Sequence, residues 1–143
     1  MEKESKNRQT IEEASANRRA EVVKPYLTEP DVLARLGIDR DHLTDLRERR
    51  NILAVWHAPV EAWLYPDFQF DPAGLIKEMP EILETFDLYY SHCWENTWSI
   101  LEWFLAAHSL LDRRRPMDVI QSNPSVVLEI AGLDLWEDPE TLW

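Results

Sequence analysis

The sequence is poor in the residues that many functional classes require. It has one cysteine, three glycines and no long apolar run in 143 residues. Cys93 alone cannot form an internal disulfide, which is typical of proteins in a reducing cytoplasm. No apolar stretch approaches the roughly 20 residues of a membrane-spanning helix, and none follows the polar N-terminus as it would in a signal peptide. We therefore expect a cytoplasmic protein without a membrane segment.

The usual marks of catalysis and of metal binding are also scarce. Three glycines leave no glycine-rich loop for a phosphate, and the four histidines lack the spacing of metal ligands. Cys93 stands beside His92, but neighbouring side chains on a helix point in different directions, so a structural cysteine is favoured over a catalytic pair. We expect no catalytic residues, no metal and no cofactor, and hence a protein that is not an enzyme.

Positive charge is missing from the second part of the chain. Residues 1–27 contain six Lys or Arg and five Asp or Glu, and residues 28–56 contain five and six. Residues 57–143 contain four and sixteen, which accounts for the whole net charge of −12. Such an acidic half disfavours contact with nucleic-acid phosphates and favours a basic partner. Solubility alone would explain the same charge equally well.

The first part of the chain predicts an arm followed by two short helices. Residues 1–26 are polar and read as an arm that is at least partly helical. Thr28 and Asp31 have the spacing of a capping box, Gly37 is suited to end that helix, and Asp39 can cap a second one. Two short helices joined by a tight turn form a helix-turn-helix pattern.

Short β-strands are predicted after these helices. Residues 52–56, 63–65 and 68–70 are apolar or aromatic runs separated by turn residues. A hairpin here would form a wing on the helix-turn-helix, and together they would occupy residues 27–72.

Residues 73–143 predict a helical bundle. Trp94, Trp98, Leu101 and Leu105 recur at spacings of three and four, which indicates an amphipathic helix whose tryptophans belong to the core. The fold class is therefore mainly α: an N-terminal helical arm and helix-turn-helix with a small β-hairpin, then a C-terminal helical bundle.

Polar side chains on the second helix of the helix-turn-helix are candidates for contact with DNA: Arg40, His42, Thr44, Arg47, Arg49 and Arg50. Four acidic residues interleave with them and would reduce affinity for phosphates. A purely structural pair of helices is therefore an alternative. If DNA is bound, a dimer that presents two such helices is expected.

Residues 64–71, which read LYPDFQFD, resemble the "YP-x-[FW]-QF" signature of the Xre/MbcA/ParS family of antitoxins. Upstream, residues 32–38 (VLARLGI) resemble the start of that family's helix-turn-helix. Downstream, WFL at 103–105 followed by RRPMDVI at 114–120 resembles its "WL…rRPLDLL" stretch. Residues 123–128 (NPSVVL) resemble the helix that closes the family's toxin-binding domain. The four segments occur in the family's order.

This resemblance implies an antitoxin that binds and neutralises a cognate toxin of the RES-domain type, which destroys cellular NAD. Such antitoxins often repress their own operon through the helix-turn-helix and usually form homodimers. Residues 73–143 would then be the toxin-binding domain. A stand-alone helix-turn-helix regulator without a toxin is the alternative.

The resemblance also implies contact residues for the toxin. Arg114, Arg115, Pro116 and Asp118 match the motif of the toxin-binding domain, although Arg115 could instead serve an internal salt bridge. In related complexes the C-terminal region of the antitoxin closes the mouth of the toxin's active site. By that analogy Leu135, Trp136, Leu142 and Trp143, in the acidic tail of this chain, would enter the toxin.

Overall fold

The computed structural model describes residues 13–90 and 97–136, and the side chains of residues 13–86 and 97–134. Its described part is mainly helical with a small β-hairpin, which confirms the predicted class in outline. None of the described helices is long and apolar enough to cross a membrane.

Helix α1 covers residues 13–22 and is the helical portion of the predicted arm among the described residues. Its side chains are exposed up to residue 21, and a helix of this length is only marginally stable alone. The chain attaches to the body just beyond it, where Val23 and Tyr26 are buried in the core. Leu27 then pairs with Tyr65 through two backbone hydrogen bonds of 2.9 Å.

Two capped helices follow, α2 (Glu29–Leu36) and α3 (Arg40–Glu48). The predicted capping box is present, because the Thr28 side chain accepts from the Asp31 amide while the Asp31 carboxylate accepts from the Thr28 amide. Gly37 ends α2 at a φ of 65°, a conformation that glycine adopts without steric penalty. Asp39 caps α3 by accepting from the amide of His42, so these local predictions are confirmed.

Strands β1 (Val55–His57) and β2 (Ala62–Leu64) form an antiparallel hairpin, joined by a 3-10 helix at Ala58–Val60. A second, shorter hairpin pairs β3 (Phe70–Asp71) with β4 (Gly74–Leu75). The predicted strand over residues 68–70 is wrong for its first two residues, which belong to a 3-10 helix at Asp67–Gln69. The backbone turns there because proline precedes the segment and the Gln69 side chain bonds back to the Pro66 carbonyl.

The C-terminal part contains α4 (Met79–Tyr90), α5 (Thr97–Leu105), the single-turn α6 (Pro116–Val119) and α7 (Pro124–Trp136). Helix α4 packs along α7, and α5 packs against α6. Trp98 and Leu101 are buried as predicted, and Leu105 packs at the margin of the core. Trp94 lies outside the described residues.

Two clusters of buried side chains hold these elements together. A smaller one lies beneath α2 and α3 and contains Val32, Leu43, Ile52, Ala54, Tyr65 and Phe70. The larger one joins the inner face of the first hairpin to the C-terminal helices. The hairpin therefore connects the front of the molecule to the helical bundle.

Candidate partner-binding surfaces

The aromatic signature at residues 64–71 is part of the core. Gln69 is fully buried, and its side chain accepts from the Leu53 amide and donates to the Leu53 carbonyl, both at 2.8 Å. The same amide group donates to the Pro66 carbonyl at 3.1 Å. Because all these bonds are internal, Gln69 fixes the irregular segment that leads into β1. Gln69, a residue of the signature, therefore has a structural role.

Arg47, a candidate for DNA contact, points into the protein. Its guanidinium donates to the Tyr65 hydroxyl at 3.1 Å and lies 4.8 Å from the centroid of the Trp63 ring. Burial raises the pKa of Tyr65, and the hydrogen bond from Arg47 opposes that rise. The structure therefore gives Arg47 a partner on the hairpin.

The remaining DNA-binding candidates do not line up as a row of positively charged side chains that could contact phosphates. Arg49 is paired with Asp45 at 2.9 Å, and Arg40 lies 3.7 Å from Glu29. Arg50 follows α3 at a φ of 55°, away from the helical face, and lines a pocket with Arg47. The described side chains of His42 and Thr44 are exposed and half-buried respectively. The hairpin adds no positive charge, because residues 51–76 contain no Lys or Arg.

The side chains of the Arg-Pro motif bond mainly to neighbouring residues of the chain. Arg115 makes two hydrogen bonds to Asp118, of 2.7 and 3.1 Å, and this pairing raises the pKa of Arg115. Pro116 is buried at the first position of α6, where its missing amide leaves no intrahelical bond unmade. Arg114 donates to the Leu111 carbonyl at 3.1 Å. The internal salt bridge considered for Arg115 is present.

A cluster that the sequence did not suggest lies at the end of α7. One carboxylate oxygen of Asp134, Oδ2, is 2.9 Å from the indole nitrogen of Trp103 and 2.7 Å from Nε2 of His108. His108 Nδ1 accepts from the Leu110 amide at 3.1 Å, so a neutral ring carries its proton on Nε2 and donates to Asp134. We call Trp103, His108 and Asp134 the C-terminal clasp.

Two large exposed apolar side chains stand close in sequence to residues of the clasp. Leu110 is 61% exposed and lies two residues after His108, whereas Leu133 is 43% exposed and precedes Asp134. The backbone of Leu135 and Trp136 belongs to α7, but their side chains lie outside the described set. Leu142 and Trp143 lie outside the described residues altogether. The tail contacts therefore stay a prediction.

No group of His, Cys, Asp and Glu suited to hold a metal ion occurs among the described residues.

The sequence matches no family model and no curated protein. Among solved structures, the chain is similar to the NMR structure of Rv2175c, with a TM-score of 0.65 and 18% sequence identity. The similarity covers 78% of this chain and 81% of that one. At this level of identity the likeness concerns the fold.

Proposed function

We propose that the protein is the antitoxin of a type II toxin–antitoxin pair, which neutralises a RES-domain, NAD-degrading toxin by direct binding without catalysis. The observation that carries the proposal is the C-terminal clasp. It ties the end of α7, at Asp134, to Trp103 on α5 and to His108 in the following loop. A segment anchored in this way loses less entropy on binding than a free one.

The charge of the chain agrees with such a partner. A cleft that binds an anionic dinucleotide needs positive charge, and residues 57–143 carry sixteen acids against four Lys or Arg. Opposite potentials speed association and orient the partners. The exposed side chains of Leu110 and Leu133 would add apolar contact area, as in the core of an interface.

The Arg-Pro motif has a supporting role in this proposal. Arg115, Pro116 and Asp118 are engaged with one another or buried, and together they set the start of α6. We assign them the task of shaping the loop at residues 106–115, which carries Leu110. Arg114, which is exposed, is then the motif's remaining contact candidate.

The test is copurification with the product of a neighbouring RES-like gene. Tagged protein should retain the toxin at low salt and lose part of it at high salt. Leu133→Asp should weaken retention at least roughly tenfold, because it places a charge in the apolar contact. Val60→Asp is the matched control, since Val60 is 59% exposed on the distant hairpin. Equal retention of both variants would contradict the assigned surface.

A second candidate, a stand-alone helix-turn-helix regulator, is favoured by one observation. Helices α2 and α3 are joined by a tight turn at Gly37 and followed by a hairpin, and α3 exposes Arg40 and His42. Retention on its own promoter DNA by a homodimer, reduced by Arg40→Ala and absent at high salt, would support this function. Retention of toxin but not of DNA would exclude it as the main activity.

A further inference from the structure

A groove lies between α1 and the first hairpin, with Trp98 of α5 in its lining. Its volume is about 410 Å³, and its walls include Ser15, Arg19, Trp56, His57, Pro59 and Trp98. We call it the arm groove. Sites for small ligands have volumes of roughly 300 to 1,000 Å³, so the groove would accept one compact molecule.

Two indoles form the aromatic part of the arm groove. Trp98 is buried, and its ring nitrogen donates to the Trp56 carbonyl at 2.9 Å, which fixes the orientation of the ring. Trp56 is 43% exposed, although one side of its ring meets Trp63 edge to face at 5.5 Å between centroids. A half-exposed indole beside a fixed one offers a surface on which a flat ring can stack.

A single positive charge is held at the same place. The guanidinium carbon of Arg19 lies 4.7 Å from the centroid of the Trp98 ring. Within residues 13–86 and 97–134, no carboxylate forms a salt bridge with Arg19, and the described lining of the groove contains no acid. In a chain with a net charge of −12, a cation without an acidic partner is available to an anionic ligand.

We propose that the arm groove binds a small planar aromatic carboxylate. The ring stacks against Trp56 beside Trp98, and the carboxylate accepts hydrogen bonds from Arg19. A nucleic-acid strand fits less well, because tracking its phosphates requires a row of cations and residues 51–76 supply none. The proposal does not rest on toxin binding, because no residue of the clasp lines the groove.

The test uses indole-3-acetate as the charged probe and indole-3-acetamide as its neutral counterpart. Isothermal titration of the full chain should show saturable binding of the acid, at least roughly tenfold tighter than binding of the amide. Similar affinities, or no saturable binding of the acid, would overturn the proposal. This comparison uses the unaltered protein and so does not depend on the folding of a variant.

Variants locate the site. Arg19→Gln should weaken binding of the acid by about tenfold and leave the amide unchanged, and Arg19→Lys should restore part of the loss. Trp56→Ala should weaken both probes. Arg18→Gln is the matched control, because Arg18 is also exposed on α1 but does not line the groove. Equal effects of Arg18→Gln and Arg19→Gln would contradict the assigned role of Arg19.

Discussion

Gln69 shows how one side chain can replace a missing stretch of strand pairing. It satisfies both backbone groups of Leu53 and the carbonyl of Pro66 in a fully buried position. Buried polar groups without partners destabilise a fold far more than exposed ones do. The buried amide thus links the segment leading into β1 to the turn before β3.

Replacement of Gln69 with Leu should therefore lower the free energy of unfolding by about 2–3 kcal/mol, because it leaves three buried backbone groups without partners. The control is Gln121→Leu, which removes a single bond to the Phe70 carbonyl at an exposed position. Urea denaturation followed by circular dichroism measures both. A smaller loss for Gln69→Leu than for Gln121→Leu would contradict this reading.

Tyr26 is the opposite case, a buried hydroxyl without a hydrogen-bond partner in the described structure. Tyr26→Phe removes this group and should leave stability unchanged or raise it by up to about 1 kcal/mol. Tyr65→Phe is the comparison, because the Tyr65 hydroxyl accepts from Arg47, and it should lower stability by about 1 kcal/mol. A clear loss in Tyr26→Phe would show that the hydroxyl has a partner in solution.

Tyr26 also determines whether the stability of the fold rises or falls at alkaline pH. Burial, with a smaller effect from Asp67, raises the pKa of Tyr26 above its ordinary value of 10.0. Above about pH 10 the unfolded chain loses this proton first, so stability should fall as pH rises further. Tyr26→Phe should flatten that fall when urea midpoints at about pH 9 and about pH 11 are compared. An equally steep fall in the variant would assign it to other groups.

At the scale of elements, the end of α7 depends on the clasp. Both hydrogen bonds reach the same oxygen of Asp134, so Asp134→Asn can keep them whereas Asp134→Leu cannot. Asp134→Leu should lower the free energy of unfolding by about 1–2 kcal/mol and weaken toxin retention, and Asp134→Asn should do less of both. Glu129→Leu, at an exposed position on the same helix, is the control. Retention by Asp134→Leu equal to that of the control would remove the clasp from the proposed function.

A helix end or turn could be predicted from the sequence when the residues that determine it are close together in the chain. The caps at Thr28 and Asp39 and the stop at Gly37 follow from residues within one helical turn, and all three are confirmed. The turn at residues 67–69 was missed because a run of aromatic residues favours a strand. The side-chain bonds that hold the turn, from Gln69 to Pro66 and to Leu53 sixteen residues away, are not visible in that pattern.

The clasp and the inward position of Arg47 could not be predicted, because both depend on residues far apart in the chain. His108 and Asp134 are twenty-six residues apart and neither stands in a motif, so no pattern in the sequence pointed to the clasp. The inward position of Arg47 likewise depends on Trp63 and Tyr65, which lie on a different element. Exposure of Leu110 and Leu133 cannot be inferred from hydropathy, because exposure is set by what the rest of the chain covers.

At the scale of the whole molecule, charge and hydrophobic core are distributed differently. The net charge belongs to residues 57–143, whereas the larger core joins residues from the arm to α7. Because this core joins the arm to α7, the acidic residues can contact a basic partner without a rearrangement of the core. Screening by salt should therefore weaken association more than it weakens the fold.

The most direct measurement of the central claim is a titration of toxin activity. The purified product of the neighbouring RES-like gene is mixed with increasing amounts of this protein, and NAD consumption is followed at low and high salt. The antitoxin proposal predicts complete inhibition at a fixed stoichiometry, with weaker inhibition at high salt and in Leu133→Asp. Undiminished NAD consumption at a large excess of the protein would contradict it.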